Sequence, residues 1–126
     1  METIQYKSGY KYQLTKSYTV DIEIKPPVAI ELGRWIRLCP SGSLYIADGY
    51  AWDGASGPAI DTKTIMRGAL VHDALYQLMR EKLLSTDYFY SANRVLHTIC
   101  LEDGMHWLRA WYVKRAVDIW GLAYAS

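Results

Sequence analysis

Between residues 18 and 24 the chain alternates, with Tyr18, Val20, Ile22 and Ile24 set against Thr19, Asp21 and Glu23. This is the two-residue repeat of a strand with one buried face. Tyr10, Tyr12 and Leu14 repeat it upstream. Pro26 and Pro27 remove two successive backbone donors, so sheet pairing must stop there. Trp35 to Leu38 and Leu44 to Ile46 then flank Pro40-Ser41-Gly42-Ser43, a composition that predicts a hairpin. Residues 1–52 therefore read as mainly β, a small antiparallel sheet.

From Asp61 the period changes. Asp61 or Thr62 can cap a helix, and Ile65, Ala69, His72, Tyr76 and Met79 follow at spacings of three and four along one face. A second helix, about 85–101, starts on Ser85 and is broken by Glu102-Asp103-Gly104. A third, from about His106 to Tyr124, carries Trp107, Trp111 and Trp120 with Arg109, Lys114, Arg115 and Asp118 interspersed. At that helical spacing the tryptophans are expected in the core more than at an interface. Strands first and helices second predict an α+β fold, a small N-terminal antiparallel sheet packed on three C-terminal helices. The two halves, 1–52 and 61–126, are joined by the loop 53–60.

Composition narrows the classes. A chain of 126 residues, 51% apolar, supports one domain with a real core and leaves no room for a second. The formal charge is +1 and the basic residues are scattered, so no stripe follows phosphates and nucleic acid is not expected. No apolar run reaches the roughly 18 to 20 residues that span a bilayer, and the polar start METIQYKSGYKYQ lacks the order of a signal peptide. Cys39 and Cys100 show no metal-knuckle spacing and are expected as reduced thiols.

The candidate chemistry sits in YAWDGASGPAIDTKTIMRGALVHDALY, residues 50–76. Gly49, Gly54 and Gly57 permit tight turns, and Asp53 and Ser56 are short polar side chains just before the helix that brings up His72. His72 and Tyr76 share a helix face, whereas Asp73 is turned by about 100° and can only border the same cleft. The candidate catalytic residues are His72, Asp73, Asp53, Ser56 and Tyr76, with Trp52, Gly54 and Asn93 as candidate substrate contacts. One arrangement uses Ser56 as nucleophile, His72 as base and Asp53 as orienting acid. The bland alternatives are that Asp53 and Ser56 cap the loop and the helix start, and that His72 is hydrogen-bonded in the core. Phosphohydrolases that bind metal through a His-Asp pair need a histidine upstream, and His72, His97 and His106 all lie at or after the pair.

Asp53-Gly54-Ala55-Ser56, Pro58, Val71-His72-Asp73-Ala74-Leu75-Tyr76, Ala92-Asn93-Arg94, Gly104-Met105 and Arg109-Ala110…Ala116-Val117…Gly121 together resemble domain-of-unknown-function family 1353. The resemblance covers roughly residues 44–121 and implies a bacteriophage or prophage protein, with no established activity. Similar proteins usually carry an Ala-Asp pair where this chain has Ala92-Asn93. The His72-Asp73-x-x-Tyr76 helix is also similar to the active-site helix of secreted phospholipases A2. That likeness implies a histidine that activates water and an aspartate, Asp73, that helps bind Ca²⁺ with carbonyls of a glycine-rich loop. Gly54 and Gly57 stand 18 and 15 residues before His72. This chain departs in having two cysteines and Asn93 where an orienting carboxylate might come from.

Two functions follow as expectations. The first is a phage hydrolase, with or without a divalent cation such as Ca²⁺, acting on an unidentified substrate in the host cytoplasm or virion. The second is a non-enzymatic phage protein, a virion or tail component or a binder of a host factor, to which eleven tyrosines and five tryptophans lend contact surface. A membrane-surface helix around Arg109, Lys114 and Arg115 ranks lower because Asp118 and the modest positive charge weaken it. A site predicts His72, Asp73 and Asp53 converging in a pocket; a binder predicts a flat aromatic patch with His72 buried.

Overall fold

The computed structural model describes residues 4–7, 12–52 and 63–126. The strands are β1 (Tyr6–Lys7), β2 (Tyr12–Leu14), β3 (Tyr18–Asp21), β4 (Ile30–Leu32), β5 (Ile36–Leu38), β6 (Ser43–Ile46) and β7 (Ala51–Trp52). The helices are α1 (Lys63–Arg80), α2 (Phe89–Glu102), α3 (Trp107–Trp120) and the short α4 (Leu122–Ala125). Strands precede helices, and the fold is α+β.

The β half forms two small antiparallel sheets where the sequence pattern suggested one: β1-β2-β7 and β3-β6-β5-β4. The split falls at Asp48-Gly49. There the backbone of Gly49 takes φ +89°, turns the chain out of β6, and donates its N–H to Leu14 O at 2.8 Å. The following strand β7 consequently pairs with β2 instead of extending the larger sheet. The expected hairpin is present, with Ile36 opposite Ile46 and Leu38 opposite Leu44. Gly42 closes it at φ +92°, and a side chain there would run into the Ile22 carbonyl. Pro26 and Pro27 lie between β3 and β4, as their missing donors require.

Helix α1 is the centre of the α half. Thirteen of its eighteen residues are buried, including the whole expected stripe of Ile65, Ala69, His72, Tyr76 and Met79. A helix apolar nearly all round is a core helix, sandwiched between layers. Gly68 lets α2 come close: a Cβ there would stand 2.9 Å from Leu96 Cδ1 and 3.0 Å from Cys100 Sγ. Ser85 does act as a cap, but of a 3-10 turn at Thr86–Tyr88, so α2 itself begins at Phe89. His106 caps α3 by accepting the Leu108 N–H on Nδ1 at 3.2 Å.

One continuous apolar cluster joins Leu38, Leu44 and Ile46 of the larger sheet to Leu70, Leu75 and Leu78 of α1 and Leu96 and Ile99 of α2. Polar ties also cross between the halves. Tyr50 Oη donates to Gln77 Oε1 at 2.9 Å, and Arg94 pairs with Glu23 at 3.0 Å. Arg67 is nearly fully buried on α1 and donates to Tyr18 Oη of β3 at 2.8 Å, to Asp103 and to Glu102. Burial works against its charge, but these partners outweigh it and hold the guanidinium pKa above its ordinary value.

The expectation that the three tryptophans are core is overturned. Trp107, Trp111 and Trp120 are 67%, 54% and 62% exposed. Only Ala110 and Val113 of α3 are buried, because α3 packs on α2 through its small residues and carries its large rings outward.

Candidate functional site

The residues around His72 form a row of side chains that crosses all three long helices. His72 and Tyr76 come from α1, Asn93 from α2, and Lys114 and Asp118 from α3. The hydrogen bonding sets the protonation. Asp118 Oδ1 accepts from Asn93 Nδ2 at 2.8 Å, which turns Asn93 Oδ1 toward α1. That oxygen accepts from Tyr76 Oη at 2.7 Å and meets His72 Nε2 at 2.8 Å. Since an amide oxygen only accepts, the proton sits on Nε2 and the Nδ1 lone pair is left. The far end closes with Lys114 Nζ donating to Asp118 Oδ2 at 2.7 Å, an i,i+4 pair.

The row is enclosed. Asn93 is 0% exposed and His72 6%, and the His72 ring lies 4.0 Å, centroid to centroid, from that of Tyr76. Burial pushes the His72 pKa down to about 4; the Asn93 hydrogen bond and the Asp118 charge act the other way and are outweighed. Burial likewise lifts the Tyr76 phenol well above its ordinary value, with the charges of Asp118 and Asp73 adding to it. At neutral pH both groups are uncharged, so Asp118 and Lys114 carry the only formal charges of the row. Gly121, just after α3, packs directly on this cluster, where a Cβ would collide with the Tyr76 hydroxyl.

Of the residues singled out by sequence, the structure therefore brings His72, Tyr76 and Asn93 together. Asp73 is half-buried on the adjoining flank of α1, near enough for its charge to act on Tyr76. Trp52 is buried elsewhere, with its ring packed on those of Tyr6 and Tyr12, and its indole Nε1 has no hydrogen-bond partner among the described residues. Asp53, Gly54 and Ser56 lie outside the described residues, as do the expected caps Asp61 and Thr62. Among the described residues no group of three His, Cys, Asp or Glu side chains is placed to hold a metal ion. Of the donor set considered for Ca²⁺, only Asp73 is described.

Sequence reasoning missed Lys114 and Asp118. The carboxylate sought at position 93 is present one side chain further along, on α3 and not α2, and Asn93 passes its polarity to the histidine. The available signal was the Lys114–Asp118 spacing of four beside the buried Ala110 and Val113. The Asp118 carboxylate turns from α3 toward Asn93 and is mostly buried, with Lys114 beside it.

Chemically the row is better suited to holding than to reacting. A neutral imidazole with a pKa near 4 takes a proton from water poorly at neutral pH, and its direct partner is an amide that brings no charge to stabilise an imidazolium. No helix among the described residues is long and apolar enough to cross a membrane. Comparison with protein-family models, with curated proteins and with solved structures finds no match.

Proposed function

We propose that the chain is a binding protein that works through the outer face of α3, and that the row from His72 to Lys114 is the internal brace of that face. One contrast carries the reading: His72 is 6% exposed while Trp107 and Trp111, on a helix with two buried residues of fourteen, are more than half exposed. Large aromatic side chains left in water are costly, and contiguous patches of them mark contact surfaces. The brace explains why this face is the one presented. Asp118, held by Lys114, meets Asn93 in one rotational setting of α3, and in that setting Ala110 and Val113 face inward while Leu108, Tyr112 and Ile119 face outward. The bacteriophage or prophage setting rests on the resemblance over residues 44–121, and within it the partner is a phage or host protein.

The test is the state of His72. In an NMR titration its ring should stay neutral from pH 8 to about pH 5, and diethyl pyrocarbonate should modify the exposed His106 while sparing it. A His72 that titrates near neutrality and reacts readily would remove the brace and this function with it.

One observation favours a second reading, a hydrolase. His72 Nδ1 has no hydrogen-bond partner among the described residues, and Asp73 stands beside it on α1. In that reading Nδ1 takes the proton of a water, and the loop 53–58 supplies the rest of the site, with Asp73 as the residue that would hold a divalent cation. Its test is ester hydrolysis with and without added Ca²⁺: loss of turnover in His72→Gln at unchanged melting temperature establishes it, and no turnover in the wild type removes it.

A further inference from the structure

Strand β3 forms an edge of the larger sheet, and only half of its backbone groups face a neighbouring strand. The Ile22 N–H donates to Gly42 O at 2.8 Å, while on the far side of β6 the Cys39 N–H donates to Ser43 O at 2.9 Å. Polar groups alternate in direction along an antiparallel strand, so Tyr18, Val20 and Ile22 direct theirs at β6 and Thr19 and Asp21 point theirs away from the sheet. Among the described residues no backbone partner meets the N–H and C=O groups of Thr19 and Asp21. Helix α2 runs beside this edge, and ion pairs tie the two at both ends. Arg94 holds Glu23 at 3.0 Å, and Arg67, which also donates to Tyr18 Oη, holds Glu102 at 2.8 Å. Between the ties lies an open groove of about 170 Å³. Its floor is apolar, with Val20 and Ile22 on one side and Val95 and Ile99, from one face of α2, on the other. The lining also carries three carboxylates, Asp21, Glu23 and Glu102, and no basic side chain. With Asp103, which shares Arg67, four carboxylates stand against the two guanidiniums, an excess of two negative charges.

We infer that this groove docks an extended, basic segment of a partner protein, which joins the sheet as a strand antiparallel to β3. Thr19 and Asp21 each offer a donor and an acceptor, enough for two hydrogen-bonded pairs, and main-chain bonding of this kind supplies the affinity of edge addition. In antiparallel pairing the incoming residues opposite Thr19 and Asp21 carry their side chains on the same outer face, so a lysine or arginine there meets the Asp21 carboxylate. The residue between them points the other way, into the groove over Val20, which has room for a branched aliphatic side chain. The segment that fits therefore alternates cation, aliphatic, cation. A second copy of this chain does not fit, because two β3 edges set against each other would bring two acidic linings together, and charge on an edge guards against such self-pairing. No residue of the groove belongs to α3 or to the row at His72, so the two surfaces are tested apart.

Titration of the isotope-labelled full chain with the blocked peptide Lys-Val-Lys-Val-Lys, followed by amide NMR, tests it. Binding should saturate and slow the hydrogen exchange of the Thr19 and Asp21 amides, which exchange freely without peptide, while the Val20 amide, already bonded to β6, stays as it was. Asp21→Lys should weaken binding about fivefold, because an attraction becomes a repulsion. Thr19→Pro removes one outward N–H from an edge strand without changing charge, and should weaken it about tenfold. Melting temperatures confirm that both variants fold. N-methylation of the peptide's lysines removes the matching donors from the other partner and should also cost about tenfold, so the ladder is tested even with a Thr19→Pro that does not fold. N-methylation of its valines, whose N–H groups point away from β3, should cost little. The proposal is overturned by absence of binding at about 1 mM, by equal binding of Glu-Val-Glu-Val-Glu, or by equal affinity whichever residues are methylated. Protection of the Thr19 and Asp21 amides that rises with the concentration of the protein alone assigns the edge to a second copy and overturns it as well.

Discussion

His72 shows how one side chain's surroundings decide between two roles that its neighbours in sequence leave open. Its ring is neutral and enclosed, and its Nε2 proton is committed to Asn93. A folded pKa of about 4 against 6.5 unfolded means that the native state binds its proton later than the unfolded chain as pH falls. The stabilisation is complete above pH 6.5 and declines between pH 6.5 and 4. The loss across that window is of order 3 kcal/mol. Urea unfolding of wild type and His72→Gln at pH 7 and pH 4.5 checks this: the wild type should lose more stability than the variant over that interval. At pH 7 the variant should itself be weaker by about 1 to 3 kcal/mol, since removal of the imidazole disturbs a buried, satisfied network. Asn93 could be named from sequence as a candidate contact but not as the link to Asp118. That link joins residues 25 apart on two helices, and no local pattern records which side of α3 turns inward.

At the scale of elements, α3 is the place where pattern and packing part. Tryptophans at spacings of four suggest a buried seam, yet the seam is built from Ala110 and Val113, with Gly121 at its end. Small residues let α3 lie close on its neighbours, and that closeness leaves no room for rings on the inner side. Gly121→Ala tests the closeness directly. Its backbone angles lie in the helical region, so the cost is steric: the new Cβ meets the Tyr76 hydroxyl, comes within 2.5 Å of the Val117 carbonyl oxygen and stands 3.2 Å from Phe89 Cε1. Overpacking of this kind costs about 1 to 3 kcal/mol. Because Tyr76→Phe removes the nearest of the atoms it strikes and leaves the Val117 carbonyl, the double variant should be less destabilised than the two single losses added together, as thermal or urea unfolding of all four proteins will show.

Over the whole molecule, the β and α halves are held by the apolar cluster and by Arg67. This arginine on α1 reaches Tyr18 on β3 and Asp103 in the turn after α2, and the Asp103 carboxylate is itself nearly buried. Replacing only the cation leaves that carboxylate enclosed without its partner. Arg67→Met should therefore destabilise by about 3 to 5 kcal/mol. Glu102→Gln, by contrast, should cost less than about 1 kcal/mol, because Glu102 is more than half exposed and its pairing is screened. Equal costs for the two in denaturant unfolding would mean that Asp103 is not the dependent partner.

The alternation from Tyr18 onward, the prolines at 26 and 27, the Ser41-Gly42 turn and the three-four spacing after residue 61 suffice for the α+β architecture. Each of these is a local rule, in which a residue's neighbours along the chain dictate its backbone or its face. The same spacing makes His72 and Tyr76 neighbours on one helix face. Three features come from packing alone: the division of the strands into two sheets at Gly49, the outward turn of the α3 tryptophans, and the path from His72 through Asn93 to Asp118 and Lys114. All three depend on which side of an element meets another element far along the chain. A helix with apolar residues on both sides can settle either way by its own pattern, and here the close fit of Ala110, Val113 and Gly121 against α1 and α2 selects the face that remains in water.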